Sequence, residues 1–234
     1  DGVWIHLQRE KKPKAEVKVA VIYDGKKRIG KGRYKLKNKV VMTQFGGSTR
    51  QWQEKIRELA DAHYDLQKVK LLVTGGDGSS WVKQSFDLFN LPQTHLLDRF
   101  HLMRALRQAF GREISIQETS KLLFSKGFEP VSNKLLQCIA KAKGNRREYM
   151  IRVYKYLSNN QDALQDLDQR GFNNLTFGNL GAIEGNVNKL VAHRMDGRGC
   201  SWRTSGAKAM LAILRHKDTL QNHAFHYRPM NTSQ

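Results

Sequence analysis

Apolar and polar residues alternate from the start of the chain. Val3, Ile5 and Leu7 fall on one side, so residues 2–8 read as a strand. Lys11 to Lys14 contains Pro13 and reads as a turn. Val17, Val19, Val21 and Tyr23 alternate again and give a second strand. Asp24-Gly25 is a hairpin-turn signal. Residues 31–43, with Tyr34, Leu36 and Val40-Val41-Met42, read as a third strand, and the three together as an antiparallel meander. Gly46-Gly47 breaks the chain. Ser48 and Gln51 then form a capping box for a helix over 49–65, whose Trp52, Ile56, Leu59 and Ala60 share one face. Val69 to Val73, bounded by Gly75-Gly76, has the continuous apolar character of a buried strand. Residues 79–89 read as a helix stopped by Pro92, and Thr94 to Leu97 as another short strand.

This order of three strands, helix, strand, helix, strand and helix is that of a ribonuclease H-like α/β fold, a mixed sheet flanked by helices. No strand pattern returns after Phe100. Helical patterns cover 100–110, 115–125, 131–142, 145–157 and 160–168, punctuated by Gly111, Gly127, Pro130, Gly144 and Gly171. They predict an all-helical insertion. Two further helices are expected at 182–194 and 206–216, after Gly178 to Gly181. The organisation expected is a first core part at 1–99, the insertion at 100–175, C-terminal core helices at 176–217 and a polar tail at 218–234. No internal repeat is visible.

Charge narrows the partners. The 234 residues carry 41 Lys+Arg against 21 Asp+Glu, a formal net charge of +20. Such a surplus suits a polyanion, because each cation that neutralises a phosphate releases counterions. The basic residues are dispersed, through Lys26-Lys27-Arg28, Lys31 to Lys39, Arg146-Arg147 and Arg194 to Arg203. Dispersal favours a groove or several contact patches over one basic tail, and nucleic acid is favoured over a membrane surface because no amphipathic basic helix dominates. No apolar run approaches the roughly 18 residues that span a bilayer. Cys138 and Cys200 are too few for a disulfide framework or a zinc ribbon. With no signal peptide visible, a reducing, cytoplasmic setting is the default expectation. The chain opens with Asp1-Gly2-Val3-Trp4-Ile5 and no Met, a strand already under way, which suggests a fragment.

In so basic a chain, a carboxylate at the end of a buried strand invites explanation. Asp77 follows the fourth strand within Gly75-Gly76-Asp77-Gly78-Ser79. Ligands of open α/β sheets gather at the carboxyl ends of strands. A turn Asp that caps the next helix explains the same residues. Asp1 borders the first strand, and Asp24 is a fallback at the hairpin turn. Glu184 lies near a helix start, where it also favours the helix dipole. Gly185 and Asn186 are poor helix formers that close to the start. Three carboxylates gathered by a ribonuclease H-like sheet suit two hard cations and an in-line phosphoryl displacement.

Several segments carry a family resemblance. They are Asp1-Gly2-Val3-Trp4-Ile5, Gly75-Gly76-Asp77-Gly78-Ser79-Ser80-Trp81, Leu97-Asp98-Arg99-Phe100-His101-Leu102, and Gly181-Ala182-Ile183-Glu184-Gly185-Asn186-Val187-Asn188-Lys189-Leu190. His193-Arg194-Met195 and Gly197-Arg198-Gly199 follow. Gly-Asp-Gly alone is weak; the Glu-Gly-Asn-Val segment with its downstream basic motifs is far more specific. In this order they resemble the DDE transposases of bacterial insertion sequences, most closely the ISLre-type family. The resemblance runs over nearly the whole chain. It implies a catalytic triad of Asp1, Asp77 and Glu184 holding two Mg²⁺ ions, with Mn²⁺ as substitute. It also implies the helical insertion and a DNA-binding region ahead of Asp1.

Beside the triad, Asp98, His101 and Asn188 are candidates for contacts that support the ligands. His101 equally suits a histidine packed at a helix start. Arg194, Arg198, Trp202 and Arg203 are candidates for DNA contact, and Trp81 for the core. The implied reaction is metal-dependent strand cleavage followed by strand transfer, by two or more copies on DNA. A nuclease of the same fold without strand transfer, and a truncated or domesticated relative that binds DNA without chemistry, remain alternatives.

Overall fold

The computed structural model describes residues 1–111, 114–164, 167, 170–172, 182–197 and 199–216, and of residues 182–184 the backbone alone. The protein is mixed α/β. It divides into two compact units, Asp1–His63 together with the chain from Gly185 onward, and Tyr64–Glu184.

The first unit is built on β1 (Gly2–His6), β2 (Lys14–Ile22) and β5 (Val40–Phe45), antiparallel in the order β1-β2-β5. Val3 pairs with Val17, and Val19 with Thr43, so the alternation in the sequence sets the register. Residues 31–43 do not form one strand. A hairpin of β3 (Gly25–Gly30) and β4 (Arg33–Lys37) intervenes between β2 and β5. Its turn is at Lys31-Gly32, where Gly32 has φ 67°. Asp24-Gly25 is the base of that hairpin: Asn38 donates from Nδ2 to the Asp24 carboxylate. Asp24 is thereby occupied by a local structural bond.

Helix α1 (Thr49–His63) starts at the expected capping box. Gln51 N donates to Ser48 Oγ at 3.2 Å, and Ser48 N to Gln51 Oε1 at 3.1 Å. Trp52, Ile56 and Ala60, four residues apart, are fully buried. Helix α1 packs on β5, as does α9 (Thr204–Arg215) through its buried Ala207, Leu211 and Leu214. The segment Ala182–Met195 is helical throughout but not uniform. Helix α7 (Ala182–Val187) passes into a π turn (Asn188–Ala192) before α8 (His193–Met195).

The second unit carries two parallel strands, β6 (Leu72–Gly76) and β7 (Gln93–Leu97). Strand β6 begins three residues later than the apolar run Val69 to Val73 suggests and ends directly before Asp77. Helix α2 (Ser80–Gln84) is shorter than the expected 79–89, and Phe89 reaches the core from turns beyond it. Helices α3 (Arg99–Phe110), α4 (Ile116–Lys126), α5 (Phe128–Lys141) and α6 (Gly144–Ser158) follow. Their shared core holds Leu102, Leu106, Phe110, Leu123, Leu135 and Leu157. Each such side chain contributes about 2 kcal/mol on burial. Of the expected helix at 160–168, the described residues include a 3₁₀ turn, Gln161–Ala163, and residues 165, 166 and 168 lie outside the described residues. The expected tail from Thr219 lies outside the described residues. No helix among those residues is long and apolar enough to cross a membrane.

Candidate active site

The parallel pair β6 and β7 ends in two aspartates. Asp77 directly follows Gly76, and Asp98 directly follows Leu97. Asp98 N donates to Gly76 O at 2.7 Å, extending the ladder to the Asp98 backbone. Both carboxylates therefore stand at the carboxyl ends of neighbouring parallel strands.

Each aspartate uses one oxygen locally. Asp77 Oδ1 accepts from Ser79 N at 2.9 Å, closing a turn through Gly78, whose φ is 82°. Asp98 Oδ1 accepts from Phe100 N at 2.7 Å and caps α3. Local bonding thus engages one oxygen of each group, Asp98 capping α3 and Asp77 closing the turn ahead of α2, whose N-cap is Ser79. It leaves the others. Asp98 is 9% exposed, and its Oδ2 is buried without a hydrogen-bond partner. Neither Asp77 nor Asp98 forms a salt bridge among the described residues.

Side chains from α6 and its C-terminal end face the same place. Asn160 is buried. Its Nδ2 donates to Tyr156 O at 2.7 Å, which fixes the amide and leaves Oδ1 on the other side. That Oδ1 would lie 2.7 Å from a Cβ placed on Gly78, so it abuts the turn carrying Asp77. Burial pushes the Tyr156 phenol well above its ordinary pKa, and the negative charges of Asp77 and Asp98 push it further. Among the described residues the phenol hydroxyl, Ser79 Oγ and Asn160 Oδ1 are buried without partners, as is Asp98 Oδ2. Unpaired buried polar atoms are uncommon and costly, so four oxygens around one strand end mark this place.

The neighbouring cations are engaged. Lys83 Nζ donates to Asn159 O at 3.0 Å, and Arg170 Nη1 to His95 O at 2.7 Å. His95 lies in β7, with Nδ1 2.8 Å from Thr74 Oγ1. Burial lowers its pKa to about 4, the charges of Lys83 and Arg170 adding to the effect and Asp77 opposing it. His95 is neutral at pH 7.

The other expected residues are placed as follows. Asp1 belongs to the first unit, where its Oδ1 accepts from Gly2 N at 2.8 Å and its backbone pairs with Val19. Glu184 lies in α7, and its side chain is outside the described residues. His101, in the first turn of α3, stands edge-on to the Phe100 ring, with centroids 5.5 Å apart. Asn188 is exposed and opens the π turn, while Arg194 is half-buried in α8. Arg198 lies outside the described residues. Trp202 donates from Nε1 to Met195 O at 2.9 Å, and its backbone bridges to Leu7 at the end of β1. Arg203, exposed, precedes α9. Trp81 is half-buried. Among the described residues no group of three or more His, Cys, Asp or Glu side chains is set to hold a metal.

Sequence reasoning did not find His95, Tyr156 or Asn160. His95 carried a signal, a titratable residue inside a short apolar strand. Tyr156 and Asn160 carried none, because their role depends on where α6 ends.

A mixed α/β protein with paired carboxylates at parallel strand ends is what the fold and the site define. The chain matches, over residues 1–223, the model of an uncharacterised protein family, UPF0236, and belongs to that family. It is 28% identical over 224 residues to a UPF0236 protein in the vanSb 3′ region of Streptococcus gallolyticus, covering 92% of this chain and 47% of that protein. The chain thus spans about half the length of the curated relative it matches. No solved structure matches it.

Proposed function

We propose that this protein is the catalytic part of a transposase of the DDE type, cleaving and joining DNA strands at a divalent-metal site centred on Asp77. The observation that carries the reading is the placement of Asp77, at the end of a parallel strand beside a second carboxylate with a buried, unpaired oxygen. The donors there are hard oxygens, which fit Mg²⁺ or Mn²⁺. Asp1 and Glu184 enter as further ligands by the family resemblance alone. Bound cations would stabilise the attacking and leaving oxygens of an in-line displacement at phosphorus. Asp77 would hold its ligand through the oxygen not bonded to Ser79 N. Water is the first nucleophile in this reading, and the 3′-hydroxyl it frees is the second. No covalent protein–DNA bond forms, so no serine or tyrosine nucleophile is required. The described strands form three separate sheets, β1-β2-β5, β3-β4 and β6-β7, in place of the single mixed sheet expected, so the ribonuclease H-like fold enters this reading from the order of elements along the sequence alone. Two or more copies on DNA would be needed to join two element ends.

DNA as the partner is supported by the hairpin β3–β4. From Gly25 through Lys39 there are eight Lys or Arg residues and no Asp or Glu. Lys27 and Lys35 stand directly opposite each other, and Lys27, Arg28, Lys31, Arg33, Lys35 and Lys37 are exposed. Like charges paired across strands destabilise a hairpin. A polyanion laid along it relieves that repulsion. Ile29 at the bulge and Tyr34 are also exposed, at 57% and 59%.

The reading is tested by the thermal shift of the protein with Mn²⁺, with Ca²⁺ as a non-catalytic comparison, beside Asp77→Ala and Glu184→Ala. A ligand that binds only the folded state raises Tm. Stabilisation of the wild type that both variants lose is the expected result. A wild type indifferent to metal would leave the DNA-binding relative without chemistry as the better reading.

A further inference from the structure

We propose that Asp98 and Asn160 join Asp77 as direct ligands of one divalent cation, in a site held within the second unit. The inference rests on the reading of Asp77 as a cation ligand and adds to it two ligands, one of them from the end of α6.

One polar atom of each of these side chains is already committed. Asp77 Oδ1 is bonded to Ser79 N, Asp98 Oδ1 to Phe100 N, and Asn160 Nδ2 to Tyr156 O. These three bonds orient three side chains and leave one oxygen of each turned away from the bonded group. Asp98 Oδ2 and Asn160 Oδ1 are buried and unpartnered. Asp98 and Asn160 are 9% and 5% exposed. Among the described residues the Asp98 oxygen has no hydrogen-bond partner, and a buried carboxylate oxygen without one is strongly unfavourable. The nearby cations do not meet it, since Lys83 and Arg170 are held by the carbonyls of Asn159 and His95.

The donor set selects the ligand. Two carboxylates neutralise a charge of +2, and an amide oxygen adds a neutral ligand. Mg²⁺ and Mn²⁺ take such sets, one or two carboxylates with the remaining positions filled by water or substrate oxygen. Gly78 fits the same account. A side chain there would collide with Asn160 Oδ1 and with Leu97 Cδ1, 2.8 Å away, so glycine lets the amide reach the Asp77 turn. Tyr156 hydroxyl and Ser79 Oγ, also without a partner among the described residues, would be available to hydrogen-bond water on such an ion.

The test is Mn²⁺ titration of the full chain, read by loss of the free-ion electron paramagnetic resonance signal. Asp77→Asn, Asp98→Asn and Asn160→Ala are each expected to weaken binding about 10-fold or more. Asn160→Asp is expected to retain or tighten binding, because it keeps an oxygen in place and adds charge. If Asn160→Asp fails together with Asn160→Ala, Asn160 has a structural role and the proposal is overturned. It is also overturned if Asp77→Asn abolishes binding while Asp98→Asn and Asn160→Ala leave it unchanged. In that case the transposase reading survives. Conversely, a site that follows the expected pattern in a protein that neither cuts nor joins DNA upholds the proposal and sinks that reading.

Discussion

At the scale of single residues, His95 and Gly78 make the sharpest predictions. His95 titrates near pH 6.5 when unfolded and at about 4 when folded. Between those values the unfolded chain binds the extra proton, so stability rises with pH through that window and is fully present above it. Lowering the pH from 7 to 4 is expected to cost up to about 3 kcal/mol through this one group. His95→Gln removes the dependence: its urea midpoint falls less between pH 7 and pH 5 than that of the wild type. An equal fall in both would show that His95 is not the titrating group. Gly78 combines φ 82° with a close approach to Asn160 and Leu97. Gly78→Ala is expected to destabilise by about 1–3 kcal/mol in equilibrium denaturation. These residues also show the limit of sequence reading. Asp77 was legible because a carboxylate after an apolar run is conspicuous. Asn160 was not, because nothing in Ser158-Asn159-Asn160 says which turn its amide will face.

At the scale of elements, local rules were obeyed where packing and capping agree. Ser48→Ala removes one arm of the α1 capping box and is expected to cost about 1 kcal/mol, measured by thermal or chemical unfolding. The hairpin β3–β4 follows a different logic. Charge repels its two strands, so its alternation is faint and residues 31–43 pass for one strand. Lys31-Gly32 was the available signal, obscured by the density of lysine. Neutralising Lys27, Arg28 and Lys35 to Ala is expected to leave Tm unchanged or slightly raised. It should weaken duplex DNA binding and reduce the slope of log affinity against log salt by about 0.9 for each phosphate no longer neutralised. An unchanged slope would remove the hairpin from the DNA surface. The π turn Asn188–Ala192 was beyond sequence reading, since its i+5 bonding follows no side-chain pattern in Asn188-Lys189-Leu190-Val191-Ala192.

At the scale of the molecule, charge and chemistry are divided. A chain of net +20 keeps a small acidic place at the ends of β6 and β7, and the helices that follow β7 bring Tyr156 and Asn160 to it. The helical region was legible as helices from its 3.6-residue periodicity. Its contribution to the carboxylate site was not, because that depends on tertiary placement. The most direct test of the central claim is DNA chemistry by the full-length protein. Supercoiled plasmid and labelled duplex are incubated with Mg²⁺ or Mn²⁺, and nicked and joined products are counted. Metal-dependent nicking with transfer of a freed 3′-hydroxyl, lowered at least about 100-fold by Asp77→Asn, is the predicted result. Products formed without metal, or undiminished by Asp77→Asn, would contradict the account.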